Sequence, residues 1–249
     1  MAAPPERSAP ASLAGTNAAV PPAPKVEARL IARVFKRCHG FLEAACAPSS
    51  VPEAFLAALV ANESGANPRA ARFEPLVYRH LLKVAQGDEP VYGMLHPGEI
   101  LTEVEDMLHP KASEYHARFL RQPFADHSGD ELAKLQDEAL RELATSWGFT
   151  QIMGYHMVGR RGTTRDLLEP AFHFRVALEL LAEFADEYQL DVRREFAELF
   201  RCWNTGRPYG ETTDPEYVKN GLLRMEIYRA LAAPPQAGTD RAEASRSAA

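Results

Sequence analysis

Apolar residues recur at helical spacing through almost all of the chain between residues 26 and 231, and Pro and Gly fall mostly between the periodic stretches. Strand-like alternation is nearly absent. This pattern predicts an all-α fold of successive helices. The first spans roughly Val26 to Ala45, with Leu30, Ile31, Val34, Phe35, Phe41 and Leu42 on one apolar face. A second opens at Ser50-Val51-Pro52-Glu53, where Ser50 is placed to cap the free amides and Glu53 to complete a capping box, with Pro52 suited to the first turn. Phe55, Leu56, Leu59 and Val60 then face inward, and the pattern stops at Glu63-Ser64-Gly65, with glycine where a helix end favours it. Further helices are predicted over Pro75 to Val84, Pro97 to Leu108, Ser113 to Leu120, Asp130 to Leu143, Thr164 to Tyr188, Val192 to Trp203 and Pro215 to Leu231. In the last of these Tyr217, Leu222, Leu223, Ile227, Tyr228 and Leu231 make an apolar stripe. The middle helices are more polar and suggest an elaboration laid over a cleft.

Residues 1–24 are rich in Ala and Pro, and residues 233–249 are polar and poor in bulky side chains. Neither buries enough apolar surface to offset its ordering entropy, so both are expected to be disordered arms around one domain over residues 25–232. The net charge is −6 and the arms are neutral, so the domain carries the acidic balance. No basic block is present to follow a phosphate backbone, which argues against a nucleic-acid partner. No segment approaches a membrane span, and Met1-Ala2-Ala3-Pro4-Pro5 lacks the apolar core of a secretory signal. The three cysteines, Cys38, Cys46 and Cys202, are odd in number and unpaired in spacing, which argues for small core residues and against a disulfide framework. The eight histidines form no metal-type cluster, and phosphate-loop, dinucleotide and nucleophile-elbow motifs are missing. No cofactor and no metal are expected, and no particular oligomeric state is implied.

Three segments carry candidate chemistry. Glu63 sits where a helix should end, so it feels the negative end of the helix dipole, and an apolar lining would desolvate it. Both effects favour the protonated form that a general acid needs near neutral pH; the alternative is a solvated glutamate at a helix end. The stretch Ser146-Trp147-Gly148-Phe149-Thr150-Gln151-Ile152-Met153 combines close backbone approach at Gly148 with planar hydrogen bonding from Gln151 and an apolar ring from Trp147, the means by which sugars are gripped. Trp147, Ile152 and Met153 are equally suited to a core. In Cys202-Trp203-Asn204-Thr205-Gly206 a helix closes and turns, and Asn204 offers both donor and acceptor. Tyr217, opening the last helix, either reaches the same cleft or packs in the core.

The order Glu-Ser-Gly, Trp-Gly-x-x-Gln-Ile-Met, Asn-x-Gly and a late Tyr-Val resembles the lysozyme-like superfamily of soluble lytic transglycosylases and goose-type lysozymes. Residues 146–155 look closer still to the N-acetylmuramidase domains of phage endolysins, which also carry a Phe-Glu-containing helix similar to Arg72-Phe73-Glu74-Pro75. The resemblance covers most of the chain from Val51 to Leu231. It implies a cofactor-independent enzyme cleaving peptidoglycan glycan strands, with Glu63 as acid and then base. Ser64, Trp147, Gln151 and Asn204 would line sugar sites, and Tyr217 would match the late tyrosine. Glu74 would be a second carboxylate, or would pair with Arg72 or Arg79. Water held by that carboxylate gives a reducing sugar, whereas attack by the substrate's own hydroxyl gives an anhydro end. Two departures alter the cleft floor: Trp203 replaces the usual Tyr before Asn-x-Gly, and Gly148-Phe149-Thr150-Gln151 replaces Gly-Leu-Met-Gln. Such an enzyme would be made in the cytoplasm and reach the wall by an unassigned release route, without long-range attraction to an anionic surface. A non-catalytic glycan-binding module of the same fold is the rival reading.

Overall fold

The computed structural model describes residues 25–108 and 129–233. The predicted helix over Ser113 to Leu120 lies outside them, as do the two terminal arms apart from Ala233. Among the described residues there are eight α-helices: α1 (Lys25–Cys46), α2 (Glu53–Glu63), α3 (Pro75–Gln86), α4 (Pro97–Leu108), α5 (Gly129–Leu143), α6 (Pro170–Tyr188), α7 (Phe196–Thr205) and α8 (Tyr217–Ala232). An antiparallel sheet of β1 (Ala71–Phe73), β2 (Thr145–Trp147) and β3 (Ile152–Met153), in that order, corrects the all-α expectation to a mainly helical fold. Strands of two or three residues are too short to show alternation. Arg72 and Phe73 accordingly belong to β1, and of the segment compared with a Phe-Glu-containing helix only Glu74, as N-cap residue, and Pro75 join α3. No described helix is long and apolar enough to cross a membrane.

Two apolar cores flank the sheet. The larger gathers α1, α2, α6, α7 and α8, and includes Cys38, Cys46, Phe55, Phe174, Phe200 and Tyr228. The smaller joins α3, α4 and α5 through Leu81, Val84, Ile100, Met107 and Leu143. Helix α2 is buried on every side, from Ala54 through Ala61, rather than on one face. Its predicted capping box does not form. Pro52 is the N-cap residue with no side-chain bond, and Ser50 Oγ accepts from Arg193 Nη2 at 3.2 Å instead. Glu53 is drawn sideways, accepting from the Tyr228 hydroxyl and from His39 Nδ1, the latter at 2.7 Å. The predicted Thr164 to Tyr188 helix is divided: a 3-10 turn over Thr164–Leu168 ends at Glu169, which the following Pro170 holds in extended backbone before α6 begins.

The buried face of α8 differs from the predicted stripe. Tyr217, Gly221, Met225 and Tyr228 are buried, while Leu222 and Leu231 are exposed. Gly221 turns the helix this way, because the missing side chain admits the buried Phe200 ring of α7. A methyl group there would stand 2.6 Å from Phe200 Cζ, and that ring is wedged edge-on against Tyr217 and tilted against Phe55. Gly221→Ala is therefore expected to destabilise the protein in denaturant unfolding. Overpacking costs about 1–3 kcal/mol, which outweighs the roughly 1 kcal/mol that alanine gains in a helix. An unchanged or raised midpoint would contradict the close α7–α8 contact.

Candidate active site

Where the two cores meet over the sheet, a cleft of about 450 Å³ opens. Glu63 reaches it from the end of α2, and Arg72 and Glu74 from β1 and the start of α3. Gln151, Ile152 and Met153 line it from the sheet, and Trp203 and Asn204 from the end of α7.

Glu63 is placed by the burial of α2, which ends when Ser64 and Gly65 both return their N–H groups to the Val60 carbonyl, each at 3.1 Å. Gly65 adopts φ +58°, the left-handed conformation that the sequence anticipates. The carboxyl is half-buried, and its pKa is pushed up to about 7. Desolvation is the largest cause, opposed by a hydrogen bond from the Tyr217 hydroxyl and by the charge of Arg72. Tyr217 is itself buried, and burial followed by the Glu63 charge drives its phenol well above the usual range, so it remains a donor.

Sequence reasoning missed the support behind this pair. Asn62 Nδ2 donates to the Tyr217 carbonyl at 3.1 Å, and Arg224 Nη1 donates to Asn62 Oδ1 at 2.6 Å. Arg224 Nε in turn donates to Glu27 Oε2 at 2.6 Å. Three helices thus converge on the tyrosine that holds the acid. The relevant residues are far apart in the chain, and no local pattern links them.

The Gly148–Gln151 turn is locked from three helices. Ser64 Oγ donates to the Phe149 carbonyl at 2.6 Å, so Ser64 serves the fold and stands outside the cleft lining. Trp203 Nε1 donates to the Thr150 carbonyl, and the Thr150 N–H donates to His173 Nε2, both at 2.9 Å. His173 Nδ1 donates to the Leu167 carbonyl at 2.8 Å; burial pushes its pKa down to about 4 and keeps it neutral. Gly148 is required here, since a side chain would meet Leu167 O at 2.4 Å and His173 Nδ1 at 2.5 Å, and φ is +72°. Trp203 and the Gly148–Gln151 segment are thus neighbours: Trp203 binds Thr150, while Phe149 stacks on Phe174 at 5.2 Å.

The remaining expected sugar contacts separate into used and free groups. Gln151 lines the cleft, but its amide is taken up internally. Nε2 donates to Gly148 O at 2.9 Å and Ala70 O at 3.3 Å, and Oε1 accepts from Ser146 Oγ at 2.9 Å. Trp147 is a core residue and not a cleft wall. It is only 7% exposed, its Nε1 donates to Glu142 O at 3.2 Å, and Arg165 covers its ring at 5.6 Å. Of the two arginines weighed for Glu74, Arg72 is the partner, at 2.5 Å. Asn204 is exposed at the cleft and makes no side-chain hydrogen bond among the described residues.

The raised pKa of Glu63 makes a thermodynamic prediction. A carboxyl whose folded pKa exceeds its unfolded value contributes stability that is complete below pH 4.5 and is lost as the pH rises through about 7. Glu63→Gln cannot ionise and escapes that loss. Urea midpoints of wild type and variant, measured across this range, should shift in the variant's favour as pH rises and then run parallel. A difference independent of pH would contradict a desolvated Glu63.

Compared with protein-family models, with curated proteins and with solved structures, the chain matches none, which leaves the cleft itself to say what the protein does.

Proposed function

We propose that this protein is a lysozyme-like enzyme that cleaves the glycan strand of peptidoglycan, at the β-1,4 bond between N-acetylmuramic acid and N-acetylglucosamine. The observation that carries the reading is Glu63: a carboxylic acid still half protonated near neutrality, fixed by Tyr217 at the wall of a cleft of about 450 Å³. The order of the sequence motifs supports it independently.

In this reading Glu63 protonates the glycosidic oxygen as the leaving group departs, then acts as base on the incoming hydroxyl. The Tyr217 hydrogen bond and the charge of Arg72, which both favour the ionised carboxyl, ease the proton's departure. Asn204, whose amide has no partner among the described residues, takes an acetamido group of the substrate. Glu74 is the second carboxylate lining the cleft and would hold the water of a hydrolytic route. Without that water, attack by the sugar's own hydroxyl gives an anhydro product. The reaction calls for no cofactor.

The test is incubation of wild type and Glu63→Gln with bacterial sacculi, with released fragments weighed by mass spectrometry. Cleavage should fall by about 10²–10⁴-fold in the variant, and wild-type activity should decline as pH rises past about 7. Reducing ends that vanish in Glu74→Gln assign hydrolysis; fragments lighter by one water assign transglycosylation. Wild type releasing no more than Glu63→Gln would overturn the catalytic reading in favour of a binding module.

A further inference from the structure

Two tyrosines in the cleft, one of them closing the 146–155 segment, have no part in the chemistry above. Tyr92 and Tyr155 both line the cleft, with ring centroids 5.4 Å apart in an edge-to-face arrangement. Tyr92 is carried by a tight turn in which its N–H and carbonyl pair with those of Leu95, each at 3.0 Å. His80, itself tied to Glu89 at 2.8 Å, stacks on the Tyr92 ring at 5.5 Å. Tyr155 is braced by His156 at 4.4 Å and packs on the smaller core. Neither phenol hydroxyl has a hydrogen-bond partner among the described residues.

Packing places these groups along the cleft. Tyr92 and Tyr155 both pack on the smaller core that α3 joins. Glu74 is the N-cap residue of α3 and is ion-paired with Arg72, and Glu63 ends α2 of the larger core. The rings therefore stand on the Glu74 side of the acid. Two cleft-lining aromatic rings whose hydroxyls have no partner among the described residues suit a ligand that is apolar on one face and polar at its rim. A pyranose ring has that character: its C–H face packs on an aromatic surface while its hydroxyl and acetamido groups seek hydrogen bonds.

Building on the proposed activity, we propose that Tyr92 and Tyr155 form a platform that binds one N-acetylated sugar ring on the Glu74 side of Glu63. The platform fixes the strand's register across the acid, and it is a binding element rather than a catalytic one.

The test uses the full chain carrying Glu63→Gln, titrated calorimetrically with the β-1,4-linked tetramer of N-acetylglucosamine. Adding Tyr92→Ala should weaken binding about five- to tenfold, with Tyr92→Phe retaining most of the stacking and Tyr155→Phe losing a smaller share. Sugar-proton resonances of the tetramer bound to the Glu63→Gln parent should also shift upfield from ring current, a readout that does not depend on how the tyrosine variants fold. Equal affinity in the folded Tyr92→Ala variant, or no upfield shift, overturns the platform while leaving the activity standing. Absence of tetramer binding in the parent overturns the platform too, and it reaches the functional reading only if wild type also leaves sacculi intact.

Discussion

Helix α2 is buried along its whole middle, Ala54 through Ala61, and the position of Glu63 follows from that burial. A helix with no wet face needs neighbours on all sides, which α1 and α8 supply, and its last turn emerges where those neighbours stop. The acid is thus held at the boundary between core and cleft. Desolvation at that boundary outweighs the two interactions that favour its ionised form, which is why its pKa rises to about 7. The same packing brings Tyr217, the first residue of α8, against the carboxyl.

The cleft exists because two cores share one small sheet. Each core supplies a wall, and the sheet supplies the floor, pinned through the Gly148–Gln151 turn by Ser64, His173 and Trp203. Gln151 sits at φ +55° with both ends of its amide occupied, so it shapes the floor more than it reads a ligand. Among the described residues the Asn204 amide and the Tyr92 and Tyr155 hydroxyls have no hydrogen-bond partner, Asn204 standing on α7 and the two tyrosines packing on the smaller core.

Most helices were legible in the sequence because their periodicity and their Pro and Gly boundaries are local. Pro97–Leu108 matches its predicted span, and α3 and α5 differ from theirs only at the ends. The sheet was not legible, since strands of two or three residues carry no periodic signal. The α8 stripe was misjudged because the deciding fact, Phe200 lying over Gly221, is a tertiary contact. At the site, Glu63, Glu74, Gln151 and Asn204 do line one cleft, with Tyr217 bound to the acid. Trp147 and Ser64 took the structural role that the same side chains allow. Asn62, Arg224 and Glu27 could not be found from spacing, because their linkage spans α1, α2 and α8.

The central claim is that a glycan strand lies across Glu63 in this cleft. A crystal structure of Glu63→Gln soaked with an N-acetylglucosamine oligomer addresses it directly. The account predicts a glycosidic oxygen about 3 Å from the side chain at position 63, within hydrogen-bond reach, with an acetamido group on Asn204. An oligomer bound elsewhere on the protein, with the cleft left empty, would contradict it.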